Sequence, residues 1–104
     1  VGYEAVSGRY ASYILGYYQL YVYKNRPEAK QYFQQCMDFS KQTDSFESGY
    51  YWASVLGLAR ISFQENDYDK TVDYCKEVLD KAEKKSAQHV EAKKLLAEII
   101  QNRR

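Results

Sequence analysis

Proline is nearly missing from this 104-residue chain, appearing once, and glycine appears only five times. That poverty of turn-formers argues against a β-sandwich, which needs turn signals every eight to twelve residues or so. No run of about eighteen apolar residues occurs, so no membrane-inserted helix is expected. The chain does not open on a basic segment followed by an apolar one, as a signal peptide would. It begins at Val1 rather than Met, which implies a processed or truncated chain. An excess of either charge is lacking too: 15 Lys and Arg face 14 Asp and Glu, for a formal net charge of +1. A nucleic-acid binder wants clustered basic charge on one face, and none is expected here.

Cysteine is scarce. Cys36 and Cys75 are too few for a disulfide framework. Both fall on apolar helical stripes, where a reduced thiol behaves as a small core residue. A bridge between them depends on geometry that spacing does not give. The single histidine, His89, is far from both in sequence, so no metal site and no cofactor is expected. Reduced thiols favour the cytoplasm. Phosphate-loop, dinucleotide and zinc-protease patterns are absent. Asp67, Asp69 and Asp73 lack the glycine and terminal glutamate of a calcium loop, and capping a helix accounts for them better. The chain is therefore read as a non-enzyme.

What the sequence has in plenty is tyrosine: twelve, against four Phe and one Trp. A tyrosine buries a large ring yet keeps a hydroxyl that wants a partner or water. Such residues suit half-buried walls and contact sites. With 45% hydrophobic residues, a core can form beneath them.

Periodicity predicts five helices. The first runs from about Tyr3 to Tyr23, with Tyr10, Tyr13, Ile14, Tyr17, Tyr18 and Tyr21 on a broad stripe. Its β-branched and aromatic content would also permit a strand, but its length argues against one. A helix apolar on most sides is expected to be covered from more than one side. A turn at Asn25-Arg26-Pro27 leads to a second helix with one narrow stripe: Ala29, Tyr32, Phe33, Cys36, Met37 and Ser40. Asp44 and Glu47 resemble a capping box for a third helix from about Phe46 to Gln64. Gly49 and Gly57 lie in this helix, and close approach of another backbone is the expected reason. Asp67 is a candidate N-cap for the fourth helix, with Tyr68, Thr71, Val72, Cys75, Val78, Leu79 and Ala82 inward. Ser86 caps the fifth. That helix is expected to bury Ala92, Leu95, Leu96, Ile99 and Ile100, with Glu91, Lys93, Lys94 and Glu98 on its outer face.

The first two helices repeat in the next two. Leu15-Gly16 matches Leu56-Gly57, and Asn25 matches Asn66, at a spacing of 57 − 16 = 41. In the second helix of each pair the spacing becomes 42. Two-helix units of this size stack into a solenoid, since neither pair buries its apolar face alone.

The stretch Leu58 to Thr71 carries a small residue at Ala59, an Asp67-Tyr68 turn and a second small position at Thr71. In this it resembles the tetratricopeptide repeat family. The first pair keeps Ala29 but lacks the Asp-Tyr turn, and the units exceed the family's usual period of about 34. The resemblance implies an all-α fold, an α-α superhelix of helix-turn-helix repeats. Repeat one spans about 5–41, repeat two about 46–83, and a capping helix about 87–101. A generic helical bundle or another α-solenoid would share the periodicity.

The resemblance also implies a function: a concave groove, lined by the first helix of each pair, that binds a protein or peptide. By position the groove residues are Tyr18, Tyr21, Leu56, Arg60 and Phe63, with Tyr13 and Trp52 beside them. Aromatic and arginine side chains dominate interface energetics. Leu56 and Arg60 stand where a clamp for a peptide carboxylate would need a polar pair, so an aromatic groove is expected instead. Two repeats are fewer than the roughly three a solenoid usually needs. The alternative reading is a structural segment of a larger tetratricopeptide regulatory protein, stabilised by the rest of that chain or by self-association into a homo-oligomer through the tyrosine-rich first helix.

Overall fold

The computed structural model describes residues 2–42 and 50–102. They form five α-helices: α1 (Gly2–Tyr21), α2 (Arg26–Gln42), α3 (Tyr50–Gln64), α4 (Tyr68–Lys81) and α5 (Ala87–Asn102). No strand occurs among the described residues, so the fold is all-α. Among the described residues no helix is long and apolar enough to cross a membrane. The expected Asp44–Glu47 capping box and Gly49 lie outside the described residues.

Local chemistry sets the helix ends. Asn25 Oδ1 accepts from the Glu28 N–H at 3.3 Å, filling one orphan donor of α2. Asp67 does the same for α4, accepting from the Lys70 N–H at 3.3 Å. Ser86 Oγ accepts from the His89 N–H at 3.2 Å and starts α5. Beyond α3 the chain reverses through Asn66, whose φ of 64° lies in the left-handed region. The Asp67 N–H returns to Ser62 O at 2.9 Å and the Asn66 N–H to Phe63 O at 3.1 Å, the paired bonds of a Schellman close. Lys24 takes the equivalent left-handed role after α1, with φ 59°.

The packing is zigzag: α1 against α2, α2 against α3, α3 against α4 and α4 against α5, with α1, α3 and α5 also meeting side by side. This gives an inner layer of α1, α3 and α5 and an outer layer of α2 and α4. The molecule's shortest dimension, 18 Å, is close to two helix layers.

The outer helices behave as their narrow stripes predict. Ala29, Phe33, Cys36 and Ser40 of α2 are buried, as are Thr71, Cys75 and Val78 of α4. Thr71 fits the small-residue position because its hydroxyl donates back to Asp67 O at 2.9 Å, leaving no unsatisfied group. Ser40 does likewise to Cys36 O. Two apolar clusters result. One joins Leu20, Ala29 and Phe33 to Leu58 and Ile61; the other joins α3, α4 and α5 around Val55, Ala59, Val78 and Leu95.

Three expectations fail. First, α1 is covered less completely than expected: α2 packs on Ser12, Gly16 and Leu20 and α3 meets it at Tyr13, while Tyr10, Leu15, Tyr17, Tyr18, Tyr21 and Val22 are exposed. Second, Ile100 is 61% exposed, because only Ala92, Leu95 and Ile99 of its helix reach the inner cluster and Leu96 sits at its margin. Third, the approach to Gly57 is made by a side chain. A Cβ on Gly57 would lie 2.6 Å from Phe33 Cε2 and Cζ, and one on Gly16 would lie 2.9 Å from Phe33 Cδ1 and Cε1. The two glycines clasp one ring from opposite sides. Gly16 therefore faces its own hairpin partner and Gly57 faces the preceding hairpin, so they are not equivalent positions. The burial pattern of Ser12 and Gly16 matches Val55 and Ala59 instead, at 59 − 16 = 43, and the caps Asn25 and Asp67 stand 67 − 25 = 42 apart.

Candidate functional site

Along α1 the tyrosines recur at Tyr13, Tyr17 and Tyr21, a four-residue spacing that stacks side chains on one helix face. Tyr13 and Tyr17 have ring centroids 6.5 Å apart, and Tyr17 and Tyr21 4.7 Å apart. Tyr13 also meets Phe33 at 6.2 Å and Tyr50 at 5.7 Å, which anchors the base of the ladder to α2 and α3. Tyr17 and Tyr21 keep 45% and 40% of their surface open. The ladder forms one wall of a trough across the inner layer, with a cavity of about 350 Å³. Leu56, Gly57 and Arg60 of α3 make its floor, and Gln88 and Glu91 of α5 its far wall.

Arg60 is tied down within this trough. Its guanidinium bonds Glu91 at 2.5 Å and Glu98 at 3.3 Å. The two glutamates are seven residues apart, so they share a helix face turned toward α3. The expected outer face of α5 loses them and keeps Lys93 and Lys94. Partial burial works against the charge on Arg60, and the bonds to Glu91 and Glu98 more than offset it, holding the guanidinium above its ordinary value. Burial also raises the Tyr21 phenol; nearby Arg60 opposes that, and Glu91 and Tyr17 add to it. Tyr13 is raised by burial, then by its tyrosine neighbours. Both phenols therefore stay protonated donors at neutral pH.

Of the residues the sequence singles out, Tyr13, Tyr21, Leu56 and Arg60 come together here. Leu56 contributes only an edge, since it is 6% exposed. Tyr18 points elsewhere on α1. Phe63 packs at the margin of the inner cluster with its ring 5.7 Å from Tyr68, and Trp52 is buried in that cluster. Tyr17, Gln88 and Glu91 were not singled out. The four-residue spacing from Tyr13 to Tyr21 pointed to Tyr17; Glu91 needed the pairing of α5 with α3.

A second cavity, about 310 Å³, lies between α2 and α4 on the outer side. Its charges balance, Lys30 and Lys70 against Glu65 and Asp67, and Lys30 pairs with Glu65 at 3.0 Å. Among the described residues no three His, Cys, Asp or Glu side chains cluster as metal ligands would. Cys36 and Cys75 are both buried and are not bridged to each other.

Fold and site together define an all-α protein of stacked helical hairpins with an open aromatic trough. No protein-family model matches the chain, and no curated protein or solved structure is significantly similar to it.

Proposed function

We propose that the chain is a tetratricopeptide-like binding module whose inner trough holds a short segment of another polypeptide. The observation that carries this reading is the Tyr13–Tyr17–Tyr21 ladder, open to solvent at Tyr17 and Tyr21 beside a preformed cavity. Tyrosine offers large contact area at small rotamer cost, and its hydroxyl can bond a peptide backbone. The rings of the ladder already lie against one another without a ligand, which reduces the ordering that binding requires. Arg60 supports the wall rather than gripping the ligand, because α5 already supplies it with two carboxylates. Those carboxylates outnumber it, which favours a segment carrying Lys or Arg. A cation placed over an exposed ring gains about 0.5–1 kcal/mol. The reading invokes no cofactor and no catalytic step.

The test is fluorescence polarisation against a library of labelled peptides of varied charge, comparing the wild-type chain with Tyr17→Ala/Tyr21→Ala. Both tyrosines are open, so folding should survive, and circular dichroism checks that it does. Binding of Lys- or Arg-bearing aromatic peptides, weakened tenfold or more in the variant, supports the reading. Equal binding by both proteins, or by neither, overturns it.

A further inference from the structure

The three faces of α1 have three fates. Ser12, Gly16 and Leu20 turn to α2, and Tyr13, Tyr17 and Tyr21 turn to the trough. Ala11, Leu15, Tyr18 and Val22 form the third face, about 130° from either of the others at 3.6 residues per turn. Leu15, Tyr18 and Val22 are 44%, 49% and 55% exposed, and Ala11 is exposed as well. The spacing of these four, 4-3-4, is that of a helix-packing seam. In the second hairpin the same face is closed: Leu58 and Ile61, 43 residues beyond Leu15 and Tyr18, pack with Ala29 and Phe33 of α2. The seam on α1 is thus a packing surface of the same kind, left open by the described residues.

We propose that the seam docks a second copy of this chain, α1 against α1 in antiparallel orientation about a two-fold axis. Three observations select this occupant. Residues 10–23 contain no Asp, Glu, Lys, Arg or His, so two copies bring no like charges together along the seam. The seam is palindromic: a two-fold between positions 16 and 17 sets Ala11 opposite Val22 of the other copy and Leu15 opposite Tyr18. Small meets larger at both ends, and the same patch serves both partners, as an isologous interface requires. The area also fits a weak pair. The open parts of these four side chains come to roughly 350 Å² per copy, about 700 Å² in all, the size of a weak, transient contact rather than a permanent one. Association is therefore expected only at high protein concentration. The trough faces away from this axis, so both troughs stay open in the dimer, and the inference does not depend on what they bind.

Sedimentation velocity from about 1 to 500 μM tests it. The expected result is a shift from monomer to dimer mass across that range, lost in Leu15→Glu and in Tyr18→Glu while helicity by circular dichroism is unchanged. Orientation is read by cysteine pairs: Ala11→Cys mixed with Val22→Cys should cross-link on oxidation, and Ala11→Cys alone should not. The native thiols are buried and should not interfere. A monomer at every concentration overturns the proposal and leaves the seam to a different polypeptide. A dimer that survives Tyr18→Glu, or cross-linking by Ala11→Cys alone, overturns it as well.

Discussion

Replacing Gly57 by alanine should destabilise the protein, although alanine is the better helix former by about 1 kcal/mol. The new methyl would stand 2.6 Å from Phe33 Cε2 and Cζ and 2.8 Å from Cδ2. Carbon atoms prefer roughly 3.5–4.0 Å, so ring or helix must move by about 1 Å. The ring has no room to retreat, because its opposite edge already lies against Gly16 and it is 1% exposed. Overpacking of this kind costs about 1–3 kcal/mol, and a ring held on both sides belongs at the upper end. Subtracting the propensity gain leaves a net loss of about 2 kcal/mol. For a domain of this length that lowers Tm by roughly 8–16 °C. Urea unfolding followed by circular dichroism and by the fluorescence of buried Trp52 measures it. The sharper test is a double-mutant cycle. In a Phe33→Leu background the flat ring is gone, so Gly57→Ala should cost at least about 1 kcal/mol less than in the wild type. A Gly57→Ala protein more stable than wild type, or an equal penalty in both backgrounds, would refute the clasped-ring argument.

Arg60→Ala should cost about 1 kcal/mol, since its two ion pairs are half open to solvent, and hydrogen exchange should rise more in α5 than in α2. Asp67→Ala removes the cap of α4 and should cost about 1 kcal/mol in urea unfolding. Burial pushes the Cys75 thiol from 9.0 up to about 11, with Arg60 opposing. The unfolded chain then loses that proton first, so stability present below pH 9 should fall as pH rises toward 11; in Cys75→Ala the fall should be shallower, the raised tyrosines accounting for the remainder.

The outer helices could be read from sequence almost residue by residue, because a helix with one buried face writes a single stripe at 3.6-residue spacing. The N-caps Asp67 and Ser86 were legible for a similar reason, since capping is local chemistry. The inner helix α1 was not. Tyrosine satisfies both a core and an open wall, so six aromatic and aliphatic positions gave no sign of which face was covered. Gly16 and Gly57 misled the repeat register because identical residues served opposite faces of one ring. Glu91 and Glu98 were read as solvated for want of a visible partner, and only the meeting of α5 with α3 gives them Arg60. The site was therefore half legible: the tyrosine ladder is written in its spacing, and the wall across from it is a tertiary fact.

Both acids that occupy Arg60 belong to the last sixteen-residue helix. The chain's end therefore decides the electrical preference of a surface built mainly by its beginning. With Glu91→Gln and Glu98→Gln, α5 would keep its place in the core while the same tyrosine ladder stood beside an unclaimed guanidinium, and the trough should exchange a taste for lysine and arginine for one for aspartate and glutamate. Two neutralised carboxylates would then act as a change of selectivity, with no substitution made at any ring.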